Sequence, residues 1–153
     1  MQKEGTTMFS KILLASDGSD CALKAAHVAA DLATKYGGTV TVLNVFSIPT
    51  SFVPLAGMPG FEMDPAAVNH YADHVRDAVA RRTGKVLEEH GVPYETRQVI
   101  GHPAETIVNV AEREHYDLIV VGSRGLSGIK GFLLGSVSDR VAHHAHCPVL
   151  IVK

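Results

Sequence analysis

Short apolar runs alternate with longer amphipathic stretches from Phe9 to Lys153, and nothing else in this 153-residue sequence constrains the fold so tightly. A strand, a helix and a further strand of the same sense require a crossover, and such crossovers are right-handed. Strict alternation therefore builds a parallel sheet with helices on both faces. The first run, Phe9–Ala15 (FSKILLA), stops at Ser16-Asp17-Gly18. A helix is predicted over Asp20–Tyr36, with Ser19 as its N-cap and Gly37-Gly38 as its stop. Thr39–Phe46, rich in valine and threonine, reads as the second strand. Asp64-Pro65 pairs an N-cap acid with proline at the first helical position, opening a long helix that ends near His90, with Gly84 a weak point inside it. Tyr94–Ile100, Leu118–Gly122 and Val149–Val152 read as strands, and Pro103–Glu114 and about Ser136–His144 as helices.

The polarity of each run orders the strands. Ile12–Ala15 and Leu118–Val121 are continuously apolar, as strands buried on both faces must be, and so belong at the centre. The third strand carries Glu95, Arg97 and Gln98 and suits an edge. The expected architecture is a doubly wound, Rossmann-like five-stranded parallel sheet of order 3-2-1-4-5. Ligands of such sheets sit beyond the carboxyl ends of the strands where the winding reverses, here between strands 1 and 4, at Ala15–Asp17 and Gly122.

Composition narrows the class further. Residues 9–153 are read as one domain and residues 1–8 as a flexible arm; the 46% hydrophobic content suffices for a globular core. A net charge of −2 lacks the basic excess of a general nucleic-acid binder. No apolar run approaches the ~18 residues of a membrane span, and the first residues lack a signal peptide's layout, so a cytoplasmic location is expected, with no membrane partner. Cys21 and Cys147 fall at opposite ends of the expected sheet, roughly 17–20 Å apart, whereas a disulfide needs Cα atoms within about 7 Å. No internal bridge is expected. His143, His144, His146 and Cys147 resemble a metal cluster on paper but sit in a helix-exit turn away from the reversal point, where solvated or helix-terminal histidines are the simpler reading. His70 and His74, four apart on the second helix, lack supporting Glu or Cys ligands.

The stretch Gly122-Ser-Arg-Gly125-Leu-Ser-Gly128-Ile-Lys-Gly131-Phe-Leu-Leu-Gly135-Ser136-Val-Ser138 carries the chemistry. It begins where a core strand ends and finishes where a helix starts. Glycines let a backbone approach a ligand closely and present amides to anions, and the helix N-terminus adds further N–H donors and a positive dipole end. Ser136 and Ser138 offer hydroxyls; Arg124 and Lys130 either supply charge or are solvated loop side chains. This points to bound phosphate. A Walker loop is excluded, because neither GxxxxGKS nor GxxxxGKT occurs, and the first strand ends in Asp17-Gly18 rather than a GxGxxG fingerprint. Asp17 caps the turn before the first helix, faces the ligand, or does both.

The spacing Gly122-x2-Gly125-x9-Gly135-Ser136 resembles the nucleotide-binding signature of the universal stress protein family. The likeness covers nearly all of Phe9–Lys153, including the opening Lys11-Ile-Leu-Leu-Ala-Ser-Asp17-Gly-Ser19 and the closing Cys147-Pro148-Val-Leu-Ile-Val-Lys153. It implies ATP, or ADP or AMP, as ligand. By the same resemblance, the backbones of Ala15 and Val45 would meet the adenine, and Asp17 would face the ribose or a phosphate-bound Mg2+. Gly122, Ser123, Arg124, Gly125, Leu126 and Ser127 would contact ribose and phosphates, and Gly135, Ser136, Val137 and Ser138 would hold the terminal phosphates. Family members often carry histidine where this chain has Asn44.

The Ser47–Met63 segment, with Pro49, Pro54 and Pro59, leaves the second strand on the ligand side and reads either as a lid or partner surface or as a loop folded on its own helix. The last strand, Val149–Val152, is apolar yet expected at an edge; a homodimer through it is the simplest cover, and the family resemblance implies the same. No catalytic set emerges, and any general base would have to be Asp17. The expected function is an ATP-binding, nucleotide-responsive dimeric module in stress adaptation, with at most slow hydrolysis. Two alternatives stand beside it. One is a dimeric scaffold without nucleotide. The other is an adenylating enzyme of the pyrophosphatase type, whose SGGxDS loop is not matched by Ser16-Asp17-Gly18-Ser19-Asp20.

Overall fold

The computed structural model describes residues 7–48, 59, 64–125 and 134–153. Nine elements alternate along the chain: β1 (Lys11–Ala15), α1 (Asp20–Tyr36), β2 (Thr39–Phe46), α2 (Pro65–Glu89), β3 (Tyr94–Ile100), α3 (Pro103–Arg113), β4 (Leu118–Gly122), α4 (Ser136–His144) and β5 (Val149–Val152). They form one five-stranded sheet of order β3-β2-β1-β4-β5, every pair parallel. Helices cover both faces, as the alternation demands.

Period-two side-chain placement sorts the two cores. Ile12 and Leu14 of β1 join Val40, Val42, Leu118 and Val120 under α1 and α2, while Leu13 and Ala15 join Leu43, Ile119 and Val121 under α3 and α4. The buried face of α1 is built from Ala22, Ala25, Ala26, Ala29, Ala30 and Ala33. Such small side chains bring the helix axis close to the strands. At its N-terminus Cys21 lies against Gly122 at the end of β4.

The local signals act as expected. Ala22 N–H donates to Ser19 Oγ at 3.2 Å, and Gly37 ends α1 in the left-handed region at φ 65°. Ala66 N–H donates to Asp64 Oδ1 at 2.9 Å, with Pro65 opening α2. Three expectations need adjustment. β1 begins at Lys11 rather than Phe9, because Asp117 Oδ2 accepts from Ser10 N–H, Ser10 Oγ–H and Lys11 N–H and draws Phe9–Ser10 into a turn. α3 ends at Arg113, with Glu114 as its C-cap. Gly84 is no weak point: a Cβ there would meet the Tyr94 hydroxyl at 2.7 Å, so the missing side chain is what lets β3 and α2 pack. Cys21 and Cys147 are both free thiols. No helix among the described residues is long and apolar enough to cross a membrane.

Candidate functional site

Because all strands run one way, their carboxyl ends gather at one rim, and at the reversal between β1 and β4 the crossovers leave in opposite directions. The cleft opened there has a volume of about 480 Å3, within the range of small-molecule sites. Its rim is built from the Ala15–Asp17 turn, the end of β2 from Leu43 to Ser47, the end of β4 from Val121 to Gly125, and Gly135–Ser138 at the start of α4, with Ala22, Tyr71, Val75, Pro103 and Ile107 from the flanking helices.

The β1–α1 turn is held from several sides. Ser16 N–H donates to Leu43 O at 3.0 Å, continuing the ladder by one residue, and Gly18 takes φ +77°. Ser19 N–H donates to Asp17 Oδ1 at 2.9 Å, so the capping role read from sequence is real. Asp17 Oδ2 turns the other way, toward Gly125: a Cβ on that glycine would stand 2.5 Å from it. The carboxylate therefore both fastens its turn and faces the glycine loop across the cleft. From behind, α2 grips the same turn. The fully buried Thr83 hydroxyl lies 2.8 Å from Ser16 Oγ, which in turn accepts from Gly18 N–H at 3.2 Å. Arg82 donates to Gly18 O and pairs with Asp20 at 3.3 Å.

The two ends of the glycine stretch are tied together. Ser123 N–H donates to Val152 O at 2.7 Å, while Ser123 O accepts from Gly135 N–H at 2.8 Å and from the Ser138 hydroxyl at 3.1 Å. The Ser138 hydroxyl also lies 3.0 Å from Gly135 O and is buried, so it is spent on anchoring main chain. Ser136 is exposed and Val137 half-buried at the first turn of α4, whose N-cap, Gly135, has no side chain to cap it. The dipole end of that helix lies at the cleft, which its first residues line.

Ala15, Asp17, Val45, Gly122, Ser123, Arg124, Gly125, Gly135, Ser136, Val137 and Ser138 thus line a single cleft. Leu126 and Ser127, with Gly128, Lys130 and Gly131, lie outside the described residues, as does most of the Ser47–Met63 segment. β2 continues past its last pairing with β1 at Ala15↔Leu43, which carries Asn44, Val45 and Phe46 beside the open end of β1. His143, His144 and His146 cluster at the exit of α4: the first two direct Nδ1 at the carbonyls of Asp139 and Arg140, and His146 lies 3.7 Å from Glu112. Among the described residues no group of three or more such side chains is placed to hold a metal.

Sequence reasoning missed the support of this cleft. Asn44, 5% exposed, donates through Nδ2 to Ser16 O at 3.0 Å and accepts from Gln98 Nε2 at 3.0 Å, and Gln98 also donates to Ala72 O at 2.9 Å. β1, β2, β3 and α2 are thereby linked beneath the cleft floor. A lone asparagine in the otherwise apolar TVTVLNVF was a usable signal. Arg82, Thr83 and Gln98 carried none. Phe46 and Tyr71, in edge contact at 5.7 Å between ring centroids, add an aromatic wall.

A parallel sheet with its cleft at the reversal point and a helix N-terminus over the rim defines a Rossmann-like α/β binding domain. The particular family follows from wider comparison. The model of the universal stress protein family matches residues 8–153, and the chain belongs to that family. It is 39% identical to the universal stress protein YxiE of Bacillus subtilis, over 95% of this chain and 100% of that protein. A universal stress protein of Methanocaldococcus jannaschii is 35% identical, over 99% of this chain and 86% of its own length. Among solved structures, a universal stress protein crystallised in complex with cAMP superposes with a TM-score of 0.71 at 27% identity, covering 95% of this chain and 98% of that one.

Proposed function

We propose that this chain is an adenine-nucleotide-responsive binding module acting in stress adaptation in the cytoplasm, with ATP as ligand and ADP or AMP as related occupants. The observation that carries the reading is the fastening of Gly135 and Ser138 to Ser123, which sets the N-terminus of α4 opposite Asp17 across the cleft. Adenine would lie on the β2 side against Val45 and the Ala15 backbone. The phosphates would run over Gly122–Gly125 to the amides of Ser136, Val137 and Ser138. The cAMP held by the solved relative supports an adenine nucleotide as the class of ligand. Mg2+ fits this donor set, since it binds through one or two carboxylates plus phosphate oxygens, and Asp17 is the one carboxylate among the described lining residues.

Two copies would pair through β5, an edge strand in which Leu150 is exposed while Val149, Ile151 and Val152 are half-buried. Pairing removes an apolar edge from solvent. Calorimetric titration with ATP, ADP, AMP and cAMP tests the reading. Micromolar binding that weakens in Gly125→Val and Ser136→Ala supports it. Millimolar or weaker affinity for all four, indifferent to both substitutions, refutes it.

A further inference from the structure

A second cleft, of about 850 Å3, lies between α3 and α4 and adjoins the first. Pro103, Ser136 and Val137 line both. The start of α4, where the proposed nucleotide would place its phosphates, is thus the wall between two cavities rather than the end of one. A phosphate chain crossing it leads from the adenine side into the second cleft. That cleft is neither apolar nor uniformly charged. It presents Arg140, His102 and His144, whose flat groups stack on nucleobases, together with the amide of Asn109 and the carboxylate of Glu105, which can hydrogen-bond base edges.

We propose that the α3–α4 cleft is a second nucleoside subsite, so that the domain takes dinucleoside polyphosphates in preference to mononucleotides. The inference rests on the nucleotide reading above and names a more specific ligand class for it. One nucleoside occupies the cleft beside Val45, the phosphate chain passes the first turn of α4, and the second nucleoside fills the space beside Asn109 and Arg140. Binding is reversible, with no bond made or broken. A free mononucleotide fills the first cleft alone.

Calorimetry on the full chain with ATP and diadenosine tetraphosphate tests this, both on the native protein and on Asn109→Trp and Arg140→Ala, which alter the second cleft alone. The expected result is an affinity for diadenosine tetraphosphate at least about tenfold above that for ATP, well beyond the roughly twofold that two equivalent adenosine ends supply. In both variants that advantage should shrink to under about threefold while ATP affinity stays at the native value. Arg140→Ala, an exposed change on the helix surface, keeps the test open should the tryptophan variant fail to fold. Equal affinity for the two ligands in the native protein overturns the second subsite and leaves the mononucleotide site standing; a partner copy covering the cleft would give this same result. An advantage that survives both substitutions places the second nucleoside elsewhere and also overturns it. Failure of both ligands to bind overturns the subsite together with the function beneath it.

Discussion

Gly122→Ala probes a close backbone approach at the carboxyl rim of the sheet. A Cβ at Gly122 would lie 3.0 Å from both the carbonyl carbon and the Cβ of Cys21, and 3.1 Å from the Cys21 oxygen. Ordinary carbon–carbon contact is about 3.5–4.0 Å, so the added methyl falls short by roughly half an ångström against several atoms at once. Most of those atoms are main chain, and no rotamer change relieves the overlap; β4 and α1 must separate. Overpacking of this kind costs typically ~1–3 kcal/mol. Taking about 2 kcal/mol, and about 2–4 °C of Tm per kcal/mol for a chain of this size, the expected drop in Tm is about 4–8 °C. The displacement also has a route to the cleft. Ser123, the next residue, holds Val152 by its N–H and the start of α4 by its carbonyl, so moving β4 moves the proposed phosphate seat. Scanning calorimetry and urea unfolding measure the first effect, and ATP titration the second, with a loss of at least about tenfold expected. Gly125→Ala is the contrasting case. Among the described residues its Cβ would meet the Asp17 carboxylate, a side-chain end rather than main chain. Stability should then stay within about 0.5 kcal/mol while nucleotide affinity falls. A Gly122→Ala protein that melts within 1 °C (about the error of the scan) and binds ATP normally would refute the close-approach argument.

Three further outcomes follow from particular contacts. Thr83→Val keeps the shape of a fully buried side chain but removes one of the two hydrogen-bond partners of Ser16 Oγ, and urea unfolding should register a loss of about 1–3 kcal/mol, with Thr83→Ser recovering most of it. The Arg97 guanidinium, 2.7 Å from Glu114, holds that carboxyl below its ordinary value of 4.5. A depressed folded-state value means the pair's contribution is present above about pH 4.5 and lost as pH falls through the lower folded-state value. The stability gap between native protein and Arg97→Met, under about 1 kcal/mol for so exposed a pair, should therefore close between pH 4.5 and more acid conditions in pH-resolved urea melts. Burial, aided by the Asp117 charge, pushes the Cys147 thiol up from its ordinary value of 9.0, so at pH 8 iodoacetamide should alkylate it more slowly than an unstructured peptide thiol, as peptide mass mapping over time would reveal.

The sequence alone determined everything carried by local period and local chemistry. Alternation of strand and helix set the parallel architecture, continuous apolarity placed β1 and β4 at the centre, and polar Glu95, Arg97 and Gln98 put β3 at an edge. Ser19 and Asp64 marked helix starts by side-chain bonds reaching only two or three residues along the chain, and such bonds are legible because their geometry is fixed by adjacent backbone. The glycine spacing nominated the cleft for a similar reason: a strand end and a helix start, joined by residues without side chains, present amides wherever the sheet places them. What only the tertiary structure decided are the contacts between residues far apart in sequence. Thr83 reaches Ser16 across 67 residues, Asn44 reaches it across 28, and Gly84 makes room for Tyr94 of β3. Nothing in the local pattern of α2 distinguishes Thr83 from a helix-surface threonine. Its role depends on the rotation of α2 about its axis and on its height above the sheet, and the summed packing of the whole layer sets both.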